Sequence, residues 1–498
     1  MNEEIAEYYE ELYRLYIDEN QPLERRYRQL RESLERVVRE KIQGNSLQTT
    51  DLAARINYVA TQYGLDLKEQ NQLHTFRLTS NDILNHRKSP VKEEFLRDLR
   101  AVAYAYRKMF AQDIPLKLFS VLPKQEIASS GKKEKMEYIR RIRVCFDYAD
   151  DTYLYVHPVD VIADELIRVV YNKPGINHEF EETIKELWRY AQLNLLDVSV
   201  DRDGIYTPSF IVLEPDYLID ISSLAECYKD YGSHPANYFL SRLVPIDNAR
   251  PLLLGNIANL FLDEWIHAGE EEPDYIDCMK KAFRQYPIEL AACAELRDPS
   301  KEKEFAKDCR MHFEHIRDVV QHTFLEPGYN LDKKEAVLEP SYICEALGIQ
   351  GRLDYMQRDM SSFIEMKSGK ADEFSMQGKV EPKENNKVQM LLYMAVLEYS
   401  MGQDRRRMHP YLLYTRYPLL YPARASWAQV RRVINLRNRI VAAEYGVQFH
   451  NHPDFTRNLL AQINPEVVNE RKLSGRFWEQ YLKPSISRFR EKLSALEP

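Results

Sequence analysis

Gly351-Arg352-Leu353-Asp354, followed by Phe363-Ile364-Glu365-Met366-Lys367-Ser368-Gly369-Lys370, is the stretch on which the reading of this chain turns. Each acid follows an apolar residue, as on a half-buried strand. Side chains alternate along a strand, so Glu365 and Lys367 project from one face and bring a carboxylate and an ammonium into one space. If the first segment pairs beside the second, Asp354 completes the cluster. Gly351 permits a close backbone approach, and Ser368-Gly369 offers a turn. An acid-x-lysine triplet alone is more often an ordinary charged strand face, so the weight rests on its surroundings.

Working outward, strands cluster at 335–343, 348–357, 361–367 and 410–415, with a helix at 384–400 between the last two. On that helix Gln389 and Tyr393 stand four residues apart and share a face, although a buried amide and a core tyrosine would look the same. Helical stretches at 222–231, 252–267, 273–286 and 301–324 precede the strands. This sets an α/β domain at about 222–445. Upstream, residues 1–112 read as helical. Residues 1–43 carry an apolar stripe of Leu23, Tyr27, Leu30, Leu34, Val37 and Val38, stopped at Gly44-Asn45-Ser46. Thr50-Asp51 caps a helix ending at Gly64, and Val91–Phe110 forms another. Residues 113–221 are β-rich. The runs IPLKLFSVL, RIRVCFDYAD, DTYLYVHPVDV and SFIVLEPDYLIDI read as strands, interrupted by a helix at Glu179–Leu195. A small sheet or barrel fits, an OB-like barrel being one form. Residues 446–498 read as a helical segment, with a loop near Asn451-His452-Pro453 and a helix after Pro484.

With 44% hydrophobic residues the 498-residue chain can bury several cores, and its formal charge of -8 argues against a non-specific coat on nucleic acid. A nucleic-acid enzyme needs a favourable field only at its cleft. The six cysteines form no CxxC pair and no zinc-ligand spacing, which reads as buried thiols in a reduced, cytoplasmic protein. The acidic, amphipathic start MNEEIAEYYEELY does not read as a signal peptide. No apolar run approaches the ~20 residues needed to cross a bilayer, so no membrane partner is expected.

The Asp354, Glu365 and Lys367 cluster is what phosphodiester hydrolysis requires. Carboxylate oxygens hold Mg²⁺ or Mn²⁺, hard cations that prefer oxygen. The metal activates water and neutralises charge on the phosphate, and a lysine orients the water or stabilises that charge. Arg431, Arg432, Arg437 and Arg439 form a basic helical segment after the last core strand. They read either as phosphate-binding residues or as a solvated helix face. His312 and His315, without further ligands, read as ordinary histidines rather than a metal site.

Taken together, G-x-x-D, E-x-K-S-G and Q-x-x-x-Y resemble the RecB-like branch of the PD-(D/E)XK nuclease superfamily. More narrowly, they are similar to the nuclease domain of flap-processing replication nuclease–helicases and of CRISPR-adaptation nucleases. The resemblance spans about residues 213–440 and takes in an upstream anchor, Glu214-Pro215-Asp216-Tyr217-Leu218-Ile219 leading into Ser222-Ser223-Leu224-Ala225-Glu226-Cys227. It implies a restriction-endonuclease-like mixed sheet, and a metal-dependent nuclease acting on DNA as single strands, ends or flaps. Asp354, Glu365 and the Met366 carbonyl would bind Mg²⁺ or Mn²⁺. Lys367 would act on the water or phosphate, Gln389 would orient Lys367 or the substrate, and Tyr393 would pack or hydrogen-bond beside the strand being cut.

Two departures accompany the resemblance. Leu254–Glu264 resembles the first helical motif of the family, G-x-x-x-H, but Asn259 stands in place of the metal-binding histidine. Asp263, one turn on, is an alternative ligand or a solvated carboxylate. Asn386 replaces a second family histidine. Cys227 matches the first cysteine of the iron–sulfur cluster found in many relatives, yet no cysteine follows Cys344, so no cluster is expected. Relatives carry a helicase domain, which suggests a helicase domain or subunit as partner. No G-x-x-x-x-G-K-[ST] loop occurs here, so ATP hydrolysis by this chain is not expected. The rival reading is a nucleic-acid-binding scaffold with a degenerate nuclease core.

Overall fold

The computed structural model describes residues 3–42, 51–123, 138–160, 165–229, 232–243, 249–329, 331–374, 379–424, 426–449 and 478–494. The expected stop at Gly44-Asn45-Ser46 and the loop at Asn451-His452-Pro453 lie outside these residues. The chain is mixed α/β and divides into two compact units, Met1–Glu214 with Val441–Pro453, and Pro215–Ile440 with Asp454–Pro498. Among the described residues no helix is long and apolar enough to cross a membrane.

The first unit begins with helices α1 (Glu3–Ile17), α2 (Leu23–Lys41), α3 (Leu52–Gln62), α4 (Leu67–Leu84), α5 (Lys92–Phe110) and the short α6 (Leu116–Phe119). The single helix read over 1–43 is therefore two, because Pro22 caps the second and cannot continue the first. The stripe assigned to it is correct: Tyr27, Leu30, Leu34, Val37 and Val38 are all fully buried. Asp51 caps α3 by accepting from the Ala54 amide at 3.0 Å. The strand read over IPLKLFSVL is overturned, since Pro115 opens α6 there.

The rest of this unit holds β1 (Tyr138–Ala149), β2 (Tyr153–Pro158), β3 (Ile167–Val170), α7 (Glu181–Lys185), β4 (Gln192–Val200), β5 (Tyr206–Thr207) and β6 (Phe210–Leu213). The sheet runs β1-β2-β3-β5-β4-β6, and β1 also pairs with β4, so five strands close into a ring. The β3–β5 pair is parallel. A helix over Glu179–Leu195 is not formed. It stops after one turn, Tyr190 takes a φ of 72°, and Gln192 onward is bound on both sides by β1 and β6. Helical periodicity lost to pairing on both sides, as sheet context often decides.

Cys145 of β1, Val159 just after β2 and Tyr190 just before β4 join the same hydrophobic core as the helices. Beside it His74 on α4 faces Asn57 Oδ1 across 2.7 Å. Burial, then the charge of Arg77, holds this imidazole down at about 3. The unfolded chain titrates near 6.5, so between these values it binds more protons, and stability falls as pH drops below about 6.5. His74→Gln should flatten the loss between pH 7 and 4.5 by roughly 2 kcal/mol, because each tenfold difference in proton affinity is worth about 1.4 kcal/mol. Urea midpoints of the two proteins against pH check this, and parallel curves would contradict it.

The second unit opens with β7 (Ile219–Asp220), α8 (Ile221–Glu226) and a hairpin of β8 (Tyr228–Lys229) and β9 (Gly232–Ser233). The helix read over 222–231 therefore ends early. Next come α9 (Pro235–Leu243), α10 (Arg250–His267), α11 (Tyr275–Gln285), α12 (Pro287–Ala292) and α13 (Pro299–Gln321). Strands β10 (Ala336–Leu338), β11 (Ser341–Cys344), β12 (Ile349–Arg352), β13 (Tyr355–Gln357) and β14 (Ser362–Lys367) follow. A small hairpin, β15 (Asp372–Phe374) with β16 (Lys379–Glu381), leads to α14 (Glu384–Met401), β17 (His409–Tyr414), β18 (Leu419–Pro422) and α15 (Trp427–Phe449), which from Val441 on belongs to the first unit. The central sheet runs β10-β13-β14-β17-β18, with β14 and β17 parallel. A three-stranded sheet runs β11-β12-β7. Ile364 and Met366 point into the core built with α10 and α13. Period-two alternation therefore turns Glu365 and Lys367 to the other face.

Candidate functional site

Asp354 lies between β12 and β13, and Glu365 and Lys367 on β14. The antiparallel β13–β14 ladder brings these segments side by side. Asp354 Oδ2 accepts from the Met366 amide at 2.6 Å. Lys367 Nζ donates to Glu365 Oε1 at 2.9 Å and to Gln389 Oε1 at 2.8 Å. Gln389 Nε2 in turn donates to Glu365 Oε1 at 2.6 Å and to Ser222 Oγ at 3.1 Å. One oxygen of Glu365 is thus held by an ammonium and an amide. The other, Oε2, is buried without a hydrogen-bond partner.

Burial, then the charge of Asp354, pushes the Glu365 carboxyl up to about 8, against the pull of Lys367. Burial also raises Asp354. Burial alone would lower Lys367, but the charge and hydrogen bond of Glu365 outweigh it and hold the ammonium above its ordinary value. The cluster therefore concentrates acid groups in a setting that disfavours their charge, and a cation beside them would reverse this.

Gly351 is a point of close approach. A Cβ there would lie 3.1 Å from the Tyr393 hydroxyl and 3.0 Å from Ile221 Cδ1. Tyr393 is fully buried, and its hydroxyl donates to the Arg352 carbonyl at 2.6 Å. It fastens the chain just ahead of Asp354, so the structure gives it a positioning place and not one against substrate. Gln389 joins the cluster directly.

On α10, Asn259 and Asp263 are both half-buried. A Cβ at Gly255 would lie 3.3 Å from Ser368 Oγ, so this helix abuts the end of β14. Burial, then Glu339, pushes Asp263 up to about 6, and Asp354 adds to the rise. Asp263 therefore stands within the field of the cluster. Asn386 is buried and donates to the Tyr414 hydroxyl at 2.6 Å. Sequence reasoning misses Asp220 and Glu339, and places Ser222 only in the upstream anchor. Ser222 reaches Gln389, Asp220 caps α8 through the Ser223 amide at 3.1 Å and raises Glu365, and Glu339 raises both Asp354 and Asp263. The Asp-Ile-Ser-Ser run at 220–223 is a local signal for Asp220 and Ser222, a helix cap, and Glu339 has none.

For Arg437 and Arg431 both readings of the arginine segment are corrected. Arg437 is fully buried and Arg431 nearly so. Arg437 Nε donates to the Gly348 carbonyl at 3.1 Å, and its guanidinium also meets the Tyr217 carbonyl. Arg437 is thus a structural clamp and not a phosphate contact. Arg432 is exposed and Arg439 half-buried. His312 is buried, and His315 Nδ1 pairs with the Thr415 carbonyl at 3.0 Å. Cys227 is buried with its thiol on the Ser223 carbonyl at 3.4 Å, and burial pushes it up to about 12.

Among the described residues, no group of three or more His, Cys, Asp or Glu side chains forms a ready metal cage. The donor set is a carboxylate pair, Asp354 and Glu365, with one buried oxygen unengaged. Two carboxylates completed by water and substrate phosphate are the set that Mg²⁺ accepts. No protein-family model matches the chain, and no curated protein matches it.

Proposed function

We propose that this chain is a metal-dependent phosphodiesterase that cuts DNA, acting on single strands, ends or flaps. The observation that carries this reading is the unpartnered buried Oε2 of Glu365 beside Asp354. A buried carboxylate oxygen left without a donor is costly unless a ligand completes it. Asp354 and Glu365 would hold Mg²⁺ or Mn²⁺, with the Met366 carbonyl as a further ligand. The metal, when bound, supplies Lewis-acid stabilisation of the phosphate and a more acidic water.

The residues themselves do the rest. Lys367, kept charged by Glu365, presents an ammonium to the water or to a phosphate oxygen. Gln389 fixes Lys367 and Glu365 in one arrangement, and Ser222 fixes Gln389. Tyr393 anchors the approach to Asp354. Strand order β10-β13-β14, then α14 and a parallel β17, supports a restriction-endonuclease-like core. The five-strand ring closed by β1–β4, with β3 and β5 parallel and α7 between β3 and β4, supports an OB-like barrel.

The test compares single-stranded, flapped and duplex DNA and single-stranded RNA, each with Mg²⁺, Mn²⁺ or EDTA. Cleavage of single-stranded or flapped DNA with either metal, and none in EDTA, is the expected result. Binding without cleavage under every condition would favour the scaffold reading, and cleavage in EDTA would overturn the metal.

A further inference from the structure

We propose that the cavity at the carboxyl ends of β14 and β17 is a phosphate subsite of a nucleic-acid strand, holding the phosphate next to the one cut; this rests on the nuclease reading of Asp354, Glu365 and Lys367. Lys367 and Tyr414 are the last residues of these two parallel strands and pair with each other. Both line a cavity of about 370 Å³. Carboxyl ends of parallel strands are where open α/β sheets place their ligands.

The charge of the cavity fits a phosphate. Lys229, Lys367, Lys370 and Lys383 line it together with two acids, Glu226 and Glu384. Each acid has a lysine within reach, the one at Glu384 being shared with Glu381. Lys229 meets Glu226 at 3.2 Å, and Lys387 meets Glu384 at 3.9 Å. Among the described residues neither Lys370 nor Lys383 has an ion-pair partner, so two ammonium groups face the cavity uncompensated. Lys383 also heads α14, whose first turn lines the same wall and adds the positive end of a helix dipole.

Lys367 belongs to both the cluster and the cavity, so a phosphate on Lys370 and Lys383 lies beside the reacting one, along the same strand. Tyr481 lines the cavity as a half-buried residue, and Tyr228 and Tyr414 are lining residues that are themselves buried. A tyrosine such as Tyr481 beside ammonium groups suits the sugars and unstacked bases of a single strand. The substrate class that follows is a single-stranded nucleic acid, gripped one phosphate away from the cut.

The experiment measures anisotropy of a fluorescein-labelled oligodeoxythymidylate on the full chain in EDTA across a salt series, with cleavage kinetics in Mn²⁺ alongside. Lys370→Ala/Lys383→Ala should weaken binding about fivefold at 0.1 M salt and lower the slope of log affinity on log salt by about 0.7 for each phosphate no longer neutralised. The cleavage defect should fall in KM and not in kcat. Lys301→Ala/Lys303→Ala, on the exposed face of α13, removes the same net charge and should change neither quantity. Unchanged affinity and slope in the cavity variant, or equal losses in both variants, would overturn the subsite while leaving the nuclease reading standing. A wild-type chain that neither binds nor cuts the oligonucleotide would overturn both.

Discussion

Glu365→Gln is expected to cut DNA at least about a thousandfold more slowly than the wild type at saturating Mn²⁺, a loss in the range seen when an essential charge-stabilising group is removed. The side chain keeps its shape, and its carbonyl oxygen still accepts from Lys367 and Gln389. Only the charge disappears, and with it a ligand at the buried Oε2 position. The fold should stand. Glu365 is raised when folded, so its ionisation costs stability as pH climbs from its unfolded value toward about 8. A permanently neutral glutamine escapes that cost, and its melting temperature at pH 8 should equal or exceed that of the wild type. Asp354→Asn should lose activity to a similar extent. Full activity in either variant would remove the carboxylate pair from the chemistry.

Arg437→Ala is expected to cost about 3–5 kcal/mol of stability. The substitution removes the guanidinium from the Gly348 and Tyr217 carbonyls, a loss of roughly 1–3 kcal/mol, and opens a buried cavity besides. Gly348 also accepts from the Ile219 amide at 3.1 Å. The clamp therefore steadies the β7–β12 pair that leads into Asp220 and Ser222, and activity should fall with stability. Urea unfolding and DNA affinity read the two roles apart. A stable Arg437→Ala protein with weakened DNA binding would restore the phosphate role that the basic segment suggests in sequence.

These two residues mark where the sequence is and is not informative. Glu365, Lys367, Gln389 and Tyr393 sit within single elements, so strand and helix periodicity put them on shared faces before any tertiary contact is known. Gly351 gave a sound signal as well, because close approach is a property of its own backbone. Arg437 gave a false one. A buried arginine and a solvated one look alike in a helical run, and its carbonyl partners are 89 and 220 residues away. The contact of Ser222, an anchor residue in the sequence, with Gln389 was not legible for the same reason, the two lying 167 residues apart. The failed helix at Glu179–Leu195 shows tertiary pairing overriding local pattern, since both edges of β4 are claimed by strands distant in sequence. The lysine cavity gathers positions 229, 367, 370 and 383 from separate elements, and no spacing rule connects them.

Direct Mn²⁺ binding to the wild type and to an Asp354→Asn/Glu365→Gln double variant, followed by electron paramagnetic resonance and set beside cleavage of the same single-stranded oligonucleotide, bears most closely on the central claim. The expected result is a bound Mn²⁺ signal in the wild type that disappears in the double variant, with cleavage appearing and disappearing in step. Equal Mn²⁺ binding by both proteins, or cleavage that persists in the variant, would contradict it.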